Sequence, residues 1–317
     1  QYLAEVGYDP EFGARPVKNP LNEKKTMIIA FIAAAAVFMV LVAGLSYLRD
    51  TIKNPKDVTS KLDTRLLGSI YHEKKSKSIK LRKKKEFVSM LISNPLRSFQ
   101  YAESNKMMSS RVRSYMDKEN AKTLLVTSVM ENEGKSTVAA NLALGLAQEG
   151  SRVMLIDCDF RKPAQYKIFD MEGKDADDLG KVLTGKAGTE NLICNWNDTN
   201  LYMILNRTSS NSIEALLKST TLRQIVGFCR QNMDYVIIDT SPLALVSDTE
   251  ELAQMADASV LVVRQDTVLT KDINDAIDIL NNTRGKVLGC VLNDASSSQI
   301  TGSTAHYGYG GYYEKRA

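Results

Sequence analysis

The sequence predicts an α/β fold: a doubly wound, mainly parallel sheet flanked by helices and preceded by one transmembrane helix. Three observations predict it. Beyond about residue 94, short apolar runs alternate with helical stretches, the βαβα order that lays strands in parallel. Several runs, such as Tyr235-Val236-Ile237-Ile238 and Val260-Leu261-Val262-Val263, are almost continuously apolar, as strands covered on both faces need to be. Nearer the N-terminus, residues 26–48 carry no charged side chain.

The chain's 317 residues are 44% hydrophobic and 25% charged, which fits one or two globular domains and excludes disordered, collagen-like and disulfide-stapled classes. A net charge of +4 is too mild to argue for nucleic acid as a partner. Cys158, Cys194, Cys229 and Cys290 form no C-x-x-C pair, and the chain has 2 histidines. That argues against a Cys/His metal site and for a reduced, cytosolic setting.

Residues 1–25 hold Pro10, Pro16 and Pro20 without apolar periodicity and read as the end of an external segment. The first residue is Gln1, so the chain is expected to be a fragment of a longer one. At a rise of ~1.5 Å per residue, the run 26–48 covers the ~30 Å hydrocarbon layer. It exceeds the ~7–15-residue apolar region of a signal peptide and has no small-residue cleavage site. Arg15, Lys18, Lys24 and Lys25 precede it, whereas lysines and arginines crowd residues 49–85. That asymmetry orients the C-terminal side to the cytoplasm. The basic run from Lys74 to Lys85 suits anionic lipid headgroups, at about 1 kcal/mol per charge, and equally suits a solvated linker.

Residues 49–93 are expected to form that linker and 94–295 the cytoplasmic domain. Candidate strands lie at 122–128, 152–157, 201–205, 235–239, 259–264 and 286–292. Candidate helices lie at 135–149, 212–218, 220–232, 249–256 and 271–282. Ligands of such sheets bind at the carboxyl ends of the strands, so the polar residues there carry the chemistry.

The first of those ends reads Val129-Met130-Glu131-Asn132-Glu133-Gly134-Lys135-Ser136-Thr137 and runs straight into a helix. Backbone N–H groups at the helix start face phosphates, Lys135 brings positive charge, and the Ser136 hydroxyl suits Mg2+. Val129 stands where the G-x-x-x-x-G-K-[ST] pattern has its first glycine. The second end carries Asp157 and Asp159, spaced so that both could reach a metal or a hydroxyl. The strand 235–239 ends in Asp239, the usual Mg2+ partner of phosphate-binding folds. Together these make a P-loop NTPase-like site for a nucleoside triphosphate.

The segments TSVMENEGKSTVAANLALGLAQEGSRVMLIDCDFRKP and MDYVIIDTSPLALVSD resemble the bacterial tyrosine kinases of capsule and exopolysaccharide biosynthesis. Residues 53–71 resemble that family's juxtamembrane connector, and residues 1–25 with the apolar run resemble the end of its chain-length-determinant region. The resemblance implies ATP and Mg2+ as cofactors. It implies that Lys135, Asp157, Asp159 and Arg161 are catalytic, and that Glu133, Gly134, Ser136, Thr137 and Asn293 bind nucleotide. Ser136, Asp159 and Asp239 would hold the metal. It implies autophosphorylation of the C-terminal cluster Tyr307, Tyr309, Tyr312 and Tyr313, glycine-spaced within the tail 296–317; read alone, that tail is more simply an aromatic low-complexity end. It also implies a ring-like homo-oligomer, a cognate tyrosine phosphatase, the polysaccharide polymerase and export machinery, and membrane lipids as partners. The family's oligomerising Glu-x-x-Arg-x-x-Arg is represented only by Glu103, Lys106 and Ser109, which weakens the expected ring. Two rival readings stand beside the kinase: a partitioning-type ATPase switch, whose signature lysine is Met130 here, and a nucleotide-binding scaffold that transfers nothing.

Overall fold

The computed structural model describes residues 8–9, 13–14, 20–47, 49–73, 89–173, 176–210, 212–243 and 248–296. The chain divides into two units between Asp50 and Thr51. In the first, β1 (Tyr8–Asp9) pairs antiparallel with β2 (Gly13–Ala14), and α1 spans Pro20–Tyr47. A proline at the first helical position loses no hydrogen bond, because that N–H has no intrahelical partner anyway. Met27 and Phe31 are 73% and 76% exposed. The 21 residues Lys24–Gly44 are long and apolar enough to cross a membrane.

The second unit is built on an eight-stranded sheet. In chain order its strands are β3 (Leu66–Tyr71), β4 (Thr123–Ser128), β5 (Val153–Asp157), β6 (Ile193–Asn195), β7 (Leu201–Ile204), β8 (Tyr235–Asp239), β9 (Ala258–Arg264) and β10 (Lys286–Ala295). Their spatial order is β3-β10-β9-β4-β8-β5-β7-β6. Every pairing is parallel except β6 with β7. The expected strands are all present, with ends shifted by up to three residues.

Period-two alternation sorts the strand side chains into two cores. Leu124, Val126, Leu155 and Ile237 face one core, which is covered by α3 (Phe99–Lys118) and α4 (Lys135–Gln148). Leu125, Ile156, Ile238 and Leu261 face the other. That face is covered by α7 (Ile213–Leu217), α8 (Thr220–Asn232), α9 (Asp248–Ala253) and α10 (Thr270–Asn281). Each fully buried Leu, Ile or Val contributes about 1.5–3 kcal/mol, so the strands need this coverage on both sides. Three short helices complete the unit: α2 (Pro55–Lys61), α5 (Gln165–Ile168) and α6 (Leu179–Leu183).

The structure corrects the expectation for residues 49–93. Part of that stretch belongs to the compact unit: α2 and β3 form there, and β3 is an edge strand parallel to β10. Asn54 caps α2 through the amides of Lys56 and Asp57, and the Asp57 carboxylate accepts from the Asn54 amide. That reciprocal pair fixes a helix start. Leu67 and Ile70 are buried. Gly68-Ser69 interrupts the apolar run, and the reason is packing: a Cβ at Gly68 would stand 2.9 Å from the Met108 Cβ of α3. Residues 74–88 of the expected linker lie outside the described residues.

Helix α3 also places the weakened oligomerisation triple. Glu103 and Lys106 are exposed, but Ser109 is buried. A Cβ at Gly145 of α4 would lie 2.6 Å from the Ser109 Oγ, so this serine joins two helices and presents no surface contact.

Candidate active site

β4 ends at Ser128 and α4 begins at Lys135, with the phosphate loop between them. Val129, where the motif's first glycine is missing, is buried in the hydrophobic core and anchors the start of the loop. The loop then turns through Asn132 and Gly134 with φ of 64° and 88°. At Gly134 glycine is required twice over. A side chain there is strained at positive φ, and its Cβ would fall 2.1 Å from the Asn293 Nδ2.

Glu133 and Asn293 shape this loop rather than decorating it. The buried Glu133 carboxylate accepts from the amides of Met130 at 2.6 Å and Arg264 at 3.1 Å. Asn293 donates its Nδ2 to the Glu133 carbonyl at 2.8 Å. Burial pushes the Glu133 carboxyl up, and those amides partly counter it. The side chain of Glu133 is therefore a strut between the loop and the end of β9.

Behind the loop, the ends of β5 and β8 converge on one lysine. Lys135 is 9% exposed. It donates to the Asp159 Oδ2 at 2.7 Å and the Ser136 Oγ at 3.1 Å, and its Nζ lies 3.6 Å from the Asp239 Oδ1. Burial pulls the ammonium down; the carboxylates of Asp239 and Asp159 outweigh it and hold its pKa above the ordinary value. The lysine stays charged because it is surrounded by acid.

The three aspartates are not equivalent. Asp159 is pushed up by burial, but Lys135 outweighs that and holds its carboxyl below the usual range. Its Oδ1 accepts from the Ser241 hydroxyl at 3.0 Å and from the amides of Arg161 and Lys162. Asp157 organises the backbone. Its oxygens accept from the amides of Asp159, Ala164 and Gln165. Burial, then the neighbouring Asp239, pushes its carboxyl well up. Asp239 is also raised by burial, with Lys135 countering. Its Oδ2 accepts from Gln165 Nε2 at 2.8 Å, and its buried Oδ1 has no hydrogen-bond partner.

The structure thus brings together Lys135, Ser136, Asp157, Asp159 and Asp239. Thr137 follows in the first turn of α4, half-buried. The side chain of Arg161 is exposed, and its backbone amide joins the site through Asp159. Tyr307, Tyr309, Tyr312 and Tyr313 lie outside the described residues. Sequence reasoning missed Ser241 and Gln165. The first stands two residues past Asp239 at a strand end, where its position was a legible signal. Gln165 lies eight residues beyond Asp157, and no spacing rule announces it.

Among the described residues, no three His, Cys, Asp or Glu side chains group into a metal cage. Mg2+ at a phosphate site needs only one or two protein oxygens beside phosphate and water. The Asp239 Oδ1, which accepts no hydrogen bond and meets Lys135 only as an ion pair at 3.6 Å, and the Ser136 hydroxyl fit that demand.

A family model described as ParA, NUBPL iron-transfer P-loop NTPase, matches residues 119–312. The tyrosine-protein kinase CpsD of Streptococcus agalactiae is 34% identical over 202 residues, 64% of this chain and 85% of that protein. The tyrosine-protein kinase YwqD of Bacillus subtilis is 33% identical over 190 residues, 60% of this chain and 78% of its own. Among solved structures, the kinase domain of Escherichia coli tyrosine kinase ETK superposes with a TM-score of 0.68 at 21% identity, covering 78% of this chain and 96% of that one. That match speaks for the fold. The chimerical protein CapA2B2 superposes with a TM-score of 0.64 at 25% identity, covering 77% and 100%.

Proposed function

The chain belongs to the bacterial tyrosine kinases of exopolysaccharide synthesis, on a P-loop NTPase domain, and from that premise we propose how its site works. It is a membrane-anchored autokinase that moves the γ-phosphoryl group of ATP to tyrosine. One observation carries the reading: the Lys135 ammonium at the start of α4, 2.7 Å from Asp159 and 3.6 Å from Asp239. A phosphate at the loop competes with Asp159 for that lysine. As Lys135 turns to phosphate, Asp159 loses the partner that holds its carboxyl down, and its affinity for a proton rises. A tyrosine hydroxyl, with a pKa of ~10, must give up its proton as the phosphoryl group arrives. Asp159 is the carboxylate freed at that moment. Asp157 holds the loop that presents Asp159 and Arg161, and Ser136 and Asp239 would hold Mg2+. That ion offsets charge on the phosphates, which otherwise repel any nucleophile.

The same reading gives the remaining parts their places. Residues 26–48 anchor the chain in the plasma membrane with the kinase unit on the cytoplasmic side, following the excess of basic residues after the span. Residues 1–25 end an external chain-length-determinant region. Tyr307, Tyr309, Tyr312 and Tyr313 are the acceptors, phosphorylated by a neighbouring subunit. A cognate phosphatase resets them, and the polymerase and export machinery read their charge of about −2 per phosphate.

The test is direct. The 317-residue chain in detergent is incubated with ATP and Mg2+, and phosphate is mapped by mass spectrometry. Phosphate on the tail tyrosines, absent from Lys135→Met, is expected. Phosphate release without phosphotyrosine would make the chain a nucleotide switch, and no turnover would make it a scaffold.

A further inference from the structure

Gln165 is fully buried at the centre of the site, and each of its polar groups is accounted for except one. Its backbone amide donates to the Asp157 Oδ2 at 3.1 Å. Its Nε2 donates to the Ser136 carbonyl at 3.0 Å and to the Asp239 Oδ2 at 2.8 Å. Both partners of that nitrogen are acceptors only, so the carboxamide has one possible orientation. Its Oε1 is then a buried acceptor with no donor, while the Asp239 Oδ1 meets the Lys135 ammonium only at 3.6 Å, as an ion pair. Orphaned acceptors are rare inside folded proteins. Here one belongs to a residue hydrogen-bonded to the Asp239 carboxylate, beside the lysine of the phosphate loop.

We propose that Gln165 is a positioning residue for the metal–phosphate complex. Its carboxamide ties the Asp239 carboxylate to the loop carbonyl of Ser136 and keeps a buried acceptor for a donor that only the bound complex brings. The water carried by Mg2+ is a donor of that class, since Mg2+ sheds its water reluctantly and keeps several molecules at phosphate sites. The proposal deepens the nucleotide reading above and rests on it. Through one residue, the ends of β5 and β8 and the first turn of α4 become a single unit. Without Gln165 the Asp239 carboxylate keeps its burial but loses the donor that fixes its direction. Residues that orient a metal ligand typically change metal affinity when replaced.

The experiment follows the binding of a fluorescent N-methylanthraniloyl-ADP to the full chain in detergent, with Mg2+ titrated or removed by EDTA. Gln165→Met keeps the volume without the donor. Gln165→Glu keeps an acceptor at Oε1 and replaces the donating nitrogen with oxygen. In both, the half-saturating Mg2+ concentration rises about tenfold or more, the step expected when a hydrogen bond to a charged group is lost. Binding in EDTA stays within about twofold of the wild-type chain. An unchanged Mg2+ requirement overturns the proposal. So does an equal loss of binding with and without Mg2+, which marks a residue that merely supports α5. Should Gln165→Met melt before the assay temperature, Gln165→Glu makes the same test; unfolding of both also overturns it. Failure of the wild-type chain to bind the analogue with Mg2+ would instead bring down the nucleotide reading beneath it.

Discussion

Replacing Lys135 by methionine should destabilise the kinase unit in a pH-dependent way. The substitution keeps the stem and removes the charge, leaving Asp159, Asp239 and Asp157 buried together, each 2% exposed or less. Breaking a buried ion pair by removing one partner costs about 3–5 kcal/mol, because the remaining charge stays uncompensated. Here the loss has an escape, since the carboxyls can take up protons. In the wild-type chain Asp159 is held low, so its contribution is present above the unfolded carboxyl range and lost as pH falls through its folded value. Without the lysine its folded pKa moves up, and its contribution reverses sign: the folded state then binds more protons than the unfolded state, and stability falls as pH rises. Lys135, held above its ordinary value, keeps its stabilising part across the neutral range in the wild type. The deficit of Lys135→Met should therefore be near its full ~3–5 kcal/mol at pH 8 and shrink to about 1–2 kcal/mol near pH 5. At about 2–4 °C per kcal/mol for a unit of this size, the gap at pH 8 is roughly 6–20 °C in Tm. Thermal melts of the nucleotide-free chain across that pH range read it directly. A deficit that is constant with pH, or that grows toward acid, would refute the electrostatic account. In the double variant Lys135→Met/Asp159→Asn, part of the stability at pH 8 should return, since one of the stranded charges is gone.

Three further outcomes follow from single contacts. Gly134→Ala forces a Cβ to 2.1 Å from the Asn293 Nδ2 at a positive φ, so nucleotide affinity should fall by about tenfold or more, measured by titration of the fluorescent analogue. Gly145→Ala drives a Cβ to 2.6 Å from the Ser109 Oγ between α3 and α4. It should cost about 1–3 kcal/mol in denaturant unfolding while nucleotide affinity is unchanged, because neither residue touches the phosphate loop. Ser241→Ala removes the hydroxyl that donates to Asp159 and so favours its neutral form. The acidic limb of the kcat/KM profile for tail phosphorylation should shift to higher pH, and an unshifted limb would remove Asp159 as the proton acceptor.

Periodicity made the buried strands legible. Val236-Ile237-Ile238 is apolar on both faces because both faces are covered, and that pattern needs no tertiary knowledge. β3 was hidden for the opposite reason. Gly68 exists to let α3 approach, so a demand set by packing erased the local strand signal. The site divides the same way. Lys135, Ser136 and Asp239 follow from strand ends and a helix start, which are local features. The spacing of Asp157 and Asp159 let both reach a metal or a hydroxyl, but what each does past a strand end is decided by what its oxygens accept. Asp157 accepts three amides and Asp159 accepts a lysine. The resemblance placed Glu133 in the phosphate loop, and only the register of β9 beside β4 reveals that the Arg264 amide also holds its carboxylate.

That division bears on how the lysine is used. Lys135 cannot keep Asp159 at 2.7 Å and serve a phosphate with the same ammonium at full strength, so nucleotide binding and the internal ion pair compete. The competition costs less than a free charge would, because Asp159 retains the Ser241 hydroxyl and two backbone amides when the lysine leaves. Asp239 has fewer such partners: one oxygen is held by Gln165, and the other accepts no hydrogen bond and has only the lysine at 3.6 Å. On the proposed mechanism, the carboxylate with donors to spare can release the cation and wait for a proton. The carboxylate with an empty oxygen is the one left needing another cation. On that reading, the hydrogen bonds that remain after the lysine turns, rather than the spacing of the aspartates, separate a proton acceptor from a metal ligand.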